Sequence, residues 1–132
     1  MAYEISSYRS DRIICLRVVD APTIDELGVA IKFIEDAIRN ASSTTHLIVD
    51  ARETKSIPGN VLEIKKRITY LDRDKMGWIV LIGVNPLIST FIKVLTSLLG
   101  TKYQHFKSMK PALEFLMQRD ESLGDLMETV AE

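Results

Sequence analysis

The order of apolar patterns along the chain predicts an α/β domain on a mostly parallel, mixed sheet of about five strands, with one antiparallel strand and four helices. Three observations carry that prediction. Two short strand-like segments at the start are separated only by Arg9-Ser10-Asp11, the spacing of a hairpin. From Thr23 onward, segments with helical spacing alternate with short apolar runs, as in strands joined by helical crossovers. Two of those runs, Leu47-Ile48-Val49 and Trp78 to Val84, are apolar at successive positions, as central strands covered by helices on each side are.

The first two strands span Tyr3 to Tyr8 and Arg12 to Val19. In the second, Ile14, Leu16 and Val18 alternate with Cys15, Arg17 and Val19, and Asp20-Ala21-Pro22 ends it. Thr23-Ile24-Asp25-Glu26 is a capping box that opens the first helix. Leu27, Ile31, Ile34 and Ile38 continue it at helical spacing to about Asn40. His46 to Ala51 is the third strand. Asn60 caps a second helix, with Glu63 at its third position and Val61, Ile64, Ile68 and Leu71 on its buried face. Asp72-Arg73-Asp74-Lys75 leads out of it, and Gly77 stops it.

Trp78 to Val84 is the fourth strand. Asn85 then caps a third helix, and Pro86 takes its first position, where no N–H is needed. Ile88, Phe91, Ile92, Leu95, Leu98 and Leu99 form its core face, and Gly100 ends it. Tyr103 to Lys107 is an edge-like fifth strand. Ser108 caps a last helix, where Pro111 is tolerated because it lies in the first turn. Residues 1–119 thus read as one domain. Residues 120–132, with Leu123, Leu126, Met127 and Val130, read as an amphipathic helix or tail.

Composition narrows the classes of function. The 132 residues suit one domain with one core, and 46% apolar with 27% charged residues is ordinary for a globular protein. A net charge of −1 gives no expectation of nucleic-acid binding. The nearest thing to a basic cluster, Lys65-Lys66-Arg67, reads as a solvated helix face. Cys15 is the only cysteine, so no intrachain disulfide forms, and its apolar surroundings describe a buried residue rather than a reactive thiol. Tyr3, Glu4, Ser6 and Arg9 interrupt any secretory signal, and the longest apolar run is too short to span a bilayer. A cytoplasmic location without a transmembrane segment is expected.

In a parallel sheet the carboxyl ends of the strands share an edge with the N-termini of the following helices, where ligands and partners bind. That edge is expected to gather Asp50, Ser56, Pro58, Gly59, Asn60 and Asn85, with Asp20 and Thr23 nearby. Each also has a plainer use. Asn60, Asn85 and Thr23 are ordinary helix caps, and Asp50 suits a loop-fixing acceptor.

Catalytic patterns are missing: there is no G-x-S-x-G elbow, P-loop or G-x-G-x-x-G motif. His46 and His105 lack metal-ligand spacing and read as structural or solvent-facing. We expect no enzymatic activity, no cofactor and no metal.

The element order, with His46-Leu47-Ile48-Val49 entering a loop and helix, resembles the STAS domain, the fold of bacterial anti-sigma-factor antagonists. Trp78-Ile79-Val80-Leu81-Ile82-Gly83-Val84-Asn85-Pro86 is similar to that family's fourth strand and the start of its third helix. The resemblance runs from about Tyr3 to Arg119. It implies a STAS-like fold and a regulatory role through a protein partner, an anti-sigma factor or kinase-like regulator. Antagonists of this type carry a phosphorylated serine where the second helix begins. Here that turn reads Pro58-Gly59-Asn60, and asparagine takes no phosphate, so phosphoserine switching is not expected.

From Pro86 to Leu99 the only charge is Lys93, and Leu87 and Val94 lie off the main stripe. Leu87, Phe91 and Val94 are therefore a candidate interface, for a partner or for a homodimer. The alternative function is a small-molecule or lipid-binding domain of the same fold group. Its pocket would lie between the second and third helices, walled by Ile57, Leu62, Leu87 and Phe91.

Overall fold

Parallel strands that are neighbours in both sequence and space need crossover connections, and the rule of right-handed crossovers sends every one of them to the same face of the sheet. A computed structural model, describing residues 3–8, 12–68 and 74–124, has that arrangement. The elements are β1 (Tyr3–Tyr8), β2 (Ile13–Asp20), α1 (Ile24–Arg39), β3 (Thr45–Thr54), α2 (Val61–Arg67), β4 (Met76–Ile82), α3 (Pro86–Leu99), β5 (Lys102–Phe106) and α4 (Met109–Arg119), then a 3-10 turn at Glu121–Leu123. The sheet order is β1-β2-β3-β4-β5. β1 runs antiparallel to β2, and the pairs β2–β3, β3–β4 and β4–β5 are parallel. The expected α/β mixed sheet of five strands with four helices is what the chain forms.

The two faces of the sheet have separate cores. Ile14, Leu16, Val18, Met76 and Ile79 face α1, while Leu27, Ile64 and Leu95 join α1, α2 and α3. On the other face Ile13, Cys15, Ile48, Val80 and Ile82 pack under Met109, Ala112, Leu113 and Leu116 of α4. Leu123 of the 3-10 turn closes that same cluster, so the chain just past Arg119 is part of the fold.

The caps form largely as the sequence predicts. Thr23 Oγ1 accepts from the Glu26 N–H at 3.1 Å, and the Glu26 carboxylate accepts from the Thr23 N–H at 2.9 Å. Asn85 Oδ1 accepts from Leu87 N–H at 2.9 Å. Gly100 ends α3 at φ 71, a left-handed conformation that costs glycine nothing. Ser108 takes the cap position of α4 but makes no side-chain cap bond.

Several boundaries differ from the sequence reading. β3 continues to Thr54 rather than ending at Ala51, because Thr54 Oγ1 donates to the Val18 carbonyl at 2.8 Å and keeps the chain on β2. β4 starts at Met76, so Gly77 lies inside a strand rather than stopping a helix, and Val84 falls beyond the strand end. β5 begins one residue earlier than expected and ends at Phe106. α2 ends at Arg67, and Ile68 is already extended. The predicted turn at residues 9–11, the lead-out at 72–73 and the positions Leu71, Leu126, Met127 and Val130 lie outside the described residues.

Gly77 is explained by its neighbour. The register slips between Thr45–Met76 and Leu47–Ile79, so β4 spends one extra residue opposite His46, a β-bulge. A Cβ at Gly77 would collide with the His46 ring and sit 3.0 Å from Thr44 Cγ2. Gly77→Ala is expected to destabilise the fold by about 1–3 kcal/mol, the range for overpacking a closed site. Urea denaturation of Gly77→Ala, His46→Ala and the double variant tests this. The double variant should lose less than the sum of the two singles.

Candidate functional site

The chain offers four places where function could reside: the carboxyl edge of the sheet, the β3 bulge around Asp50, the buried His46, and the α3 surface with the core beneath it.

At the carboxyl edge the polar residues are used locally. Asn60 Oδ1 accepts from the Glu63 N–H at 3.0 Å, and Asn60 Nδ2 donates to Glu63 Oε1 at 3.1 Å. Gly59 has φ 71, and a Cβ there would lie 2.9 Å from Glu63 Oε2. The close approach that Gly59 permits is thus by the helix's own carboxylate. Asp20 adopts φ 56, which Asp tolerates better than most residues, and its carbonyl accepts from Lys55 N–H at 2.7 Å and Ser56 N–H at 3.4 Å. Ser56 is exposed and Pro58 half-buried.

Asp50 does not join that group. It lies within β3 and alternates with Val49, so it shares a face with Ile48, which packs under α4. Asn60 and Asn85 open helices on the opposite face. Beyond Asp50 the pairing slips from Arg17–Asp50 to Val19–Glu53, a second bulge, now in β3. The bulge brings Arg52 back onto Asp50: Nε donates to Oδ1 at 3.0 Å and Nη2 to Oδ2 at 2.9 Å. Burial pushes the Asp50 carboxyl up. The Arg52 hydrogen bonds and the charges of Arg52 and Arg17 outweigh it and hold the group below its ordinary 3.8. Arg17 in turn bridges Glu53 and Glu4. Asp50 is a fixed anion held by an arginine, not a group poised to exchange a proton.

Sequence reasoning missed the partner of His46. Its ring is 3% exposed. Nδ1 accepts from the Trp78 N–H at 3.0 Å, which leaves Nε2 to donate to Asp120 Oδ2 at 2.9 Å. Arg12 Nη2 donates to the same Asp120 oxygen at 2.9 Å, and Arg12 Nε to the Thr44 carbonyl at 2.8 Å. Asp120 is 74 positions along the chain, so no spacing rule could have paired it with His46. Both imidazole nitrogens are occupied, so the pair fastens the end of α4 to the amino edge of the sheet. Cys15 is equally closed to chemistry: burial first, then the charge of Asp50, pushes its thiol up to about 11. Among the described residues no group of three or more His, Cys, Asp or Glu is placed to hold a metal ion. No helix among them is long and apolar enough to cross a membrane.

On α3, Leu87 and Val94 are exposed, as is Leu98, while Phe91 is half-buried and turned to the core. Beneath α1, α2 and α3 the packing leaves an apolar cavity of about 140 Å³. Ile57 and Phe91 line it, as the sequence suggests, but Leu62 and Leu87 do not.

Among solved structures, the chain is similar to an uncharacterised protein of the DUF3478 family from Shewanella loihica PV-4, described as having a SpoIIAA-like fold. The two share 14% sequence identity over 87% of this chain and 92% of that one, with a TM-score of 0.64. At that identity the likeness shows the fold alone: this chain has the SpoIIAA-like fold, which is the STAS fold. No family model and no curated protein matches the sequence.

The His46 network makes stability depend on pH. Burial lowers the His46 pKa below 6.5, against the opposing pull of Asp120, so the unfolded chain binds a proton that the folded chain resists. Stability is therefore full above about 6.5 and is lost as pH falls from there toward the lower folded value. Asp50 and Asp120, both held below 3.8, add a further loss at lower pH. Melting temperature should fall between pH 7 and pH 5 in the wild type. His46→Gln should flatten that interval and leave the loss below about pH 4.

Proposed function

We propose that this chain is a non-enzymatic regulatory module that works by binding another protein, with the outer surface of α3 as its contact. The observation that carries the reading is a stripe of apolar side chains facing water. Leu87 is 80% exposed, Val94 43% and Leu98 45%. Spaced at i, i+7 and i+11, they fall on one line along the helix, and Val84, just before it, is 73% exposed. Lys93 is the only charge between Pro86 and Leu99. A surface of this kind favours leaving water against a partner.

The STAS fold supports the reading, since the resemblance implies a partner of the anti-sigma-factor or kinase-like class. The start of α2 supports action without a phosphoserine switch, because the residue there is Asn60 and its carboxamide is committed to Glu63. A cytoplasmic setting goes with that role.

The test is affinity capture from the native host with the tagged chain, beside Leu87→Asp, Val94→Asp and Asn60→Asp. A partner should be captured by the wild type and by Asn60→Asp, and captured at least about 10-fold less by the two stripe variants, a change of about 1.4 kcal/mol. Both stripe positions are exposed, so far-UV circular dichroism should be unchanged. Equal capture by the stripe variants would refute the α3 contact, and a wild type that captures nothing specific would refute the module.

A further inference from the structure

We propose that the partly open apolar cavity between the sheet, α1, α2 and α3 is a binding site for a small, neutral, apolar molecule, a benzene-sized ring or a short hydrocarbon. Its size fits that class. At about 140 Å³ it is close to voids of about 150 Å³ lined by Leu, Ile and Phe, which stay dry and accept benzene. Its wall is of the same kind: Leu27, Ile64, Phe91 and Leu95 from the three helices, with Val49 and Ile57.

The wall also excludes other occupants. No polar atom faces the cavity, although Glu35 and Thr96 contribute to it. Thr96 turns its hydroxyl back to the Lys93 carbonyl at 3.0 Å, and Glu35 has a partner of its own. A water molecule inside would find none of the polar partners it needs, and a carboxylate headgroup drawn in among these side chains would lose its hydration without compensation. An uncharged apolar molecule loses nothing on entry. The site is independent of the outer face of α3, where Leu87, Val94 and Leu98 point to solvent.

Three clusters of side chains meet around this space without merging into one, whereas under α4 a single cluster fills the opposite face. The reason lies in α2. At seven residues it is half as long as α3 and covers correspondingly little of the sheet.

The test is titration of the intact chain, labelled at its Ile, Leu and Val methyl groups, with benzene and separately with sodium hexanoate at neutral pH. Benzene should give saturable shifts at Leu27, Ile64 and Leu95 and leave Ile13, Ile48 and Leu113, across the sheet, unchanged. Hexanoate should bind at least about 10-fold more weakly. Leu95→Phe, which fills the space, should fold and lose the benzene response; if it does not fold, Ile64→Phe takes its place. The wild-type titrations decide the matter alone. An absent or unsaturable benzene response, equal shifts on both faces, hexanoate binding as tight as benzene, or a response kept by a folded filled variant would each overturn the proposal.

Discussion

The geometry of the crossovers is the constraint on which the rest of this chain depends. Laying β3, β4 and β5 one after another beside β2 sends the three connecting helices to one face. The other face is left to α4, which has 11 residues to cover a sheet of five strands. The sequence meets that shortage by making the uncovered positions polar. Glu4 and Ser6 on β1, Arg17 on β2 and Glu53 on β3 lie where no helix reaches, and Lys102 and Gln104 take the same role on β5. Under α4 itself the positions are apolar: Ile13, Cys15, Ile48, Val80 and Ile82. At the margin the two regimes meet on Trp78. Its ring packs edge-on against Phe115 at 4.8 Å between centroids, with Arg119 and Lys102 over its face.

A single helix on one face also needs its far end secured. The Arg12–Asp120–His46 network does this, and the bulge at Gly77 makes it possible. The extra residue in β4 turns the Trp78 N–H toward Nδ1 of His46, and the bare Cα of Gly77 leaves room for the ring. Neutral imidazole suits the place because it accepts from a backbone donor on one side and gives a proton to a carboxylate on the other. A protonated ring would oppose one N–H to another across that 3.0 Å contact. Burial and hydrogen bonding thus select the same protonation state.

Features that rest on local patterns were legible in the sequence. The capping box at Thr23, the Asn60 and Asn85 caps, Pro86 at the first helical position and Gly100 at the end of α3 all lie within a few residues of what they act on. The element order was legible from alternation, but the strand order β1-β2-β3-β4-β5 was not, because the crossover rule fixes a helix's face only once that order is known. The features that escaped depend on register between distant segments. The two bulges shift β3 and β4 against their neighbours, and no local pattern records a register slip. They account for the longer β3 and for Gly77 as a strand residue. The His46–Asp120 pair escaped for the same reason.

Four of the residues that looked most like a site have local roles in the fold. Asn60 and Gly59 serve the Glu63 cap, Asn85 serves the α3 cap, and Asp50 is held by Arg52. What the fold does not consume is apolar. The inward face of α3 needs Ile88 and Leu95, with Phe91, Ile92 and Leu99 beside them. Nothing in that packing calls for apolar residues at positions 87, 94 and 98, where water would accept charge. Helix propensity does not call for them either, since lysine, glutamate and glutamine form helices about as well as leucine and better than valine. The surplus hydrophobicity of α3 at Leu87, Val94 and Leu98 therefore belongs to the surface of this domain and not to its core.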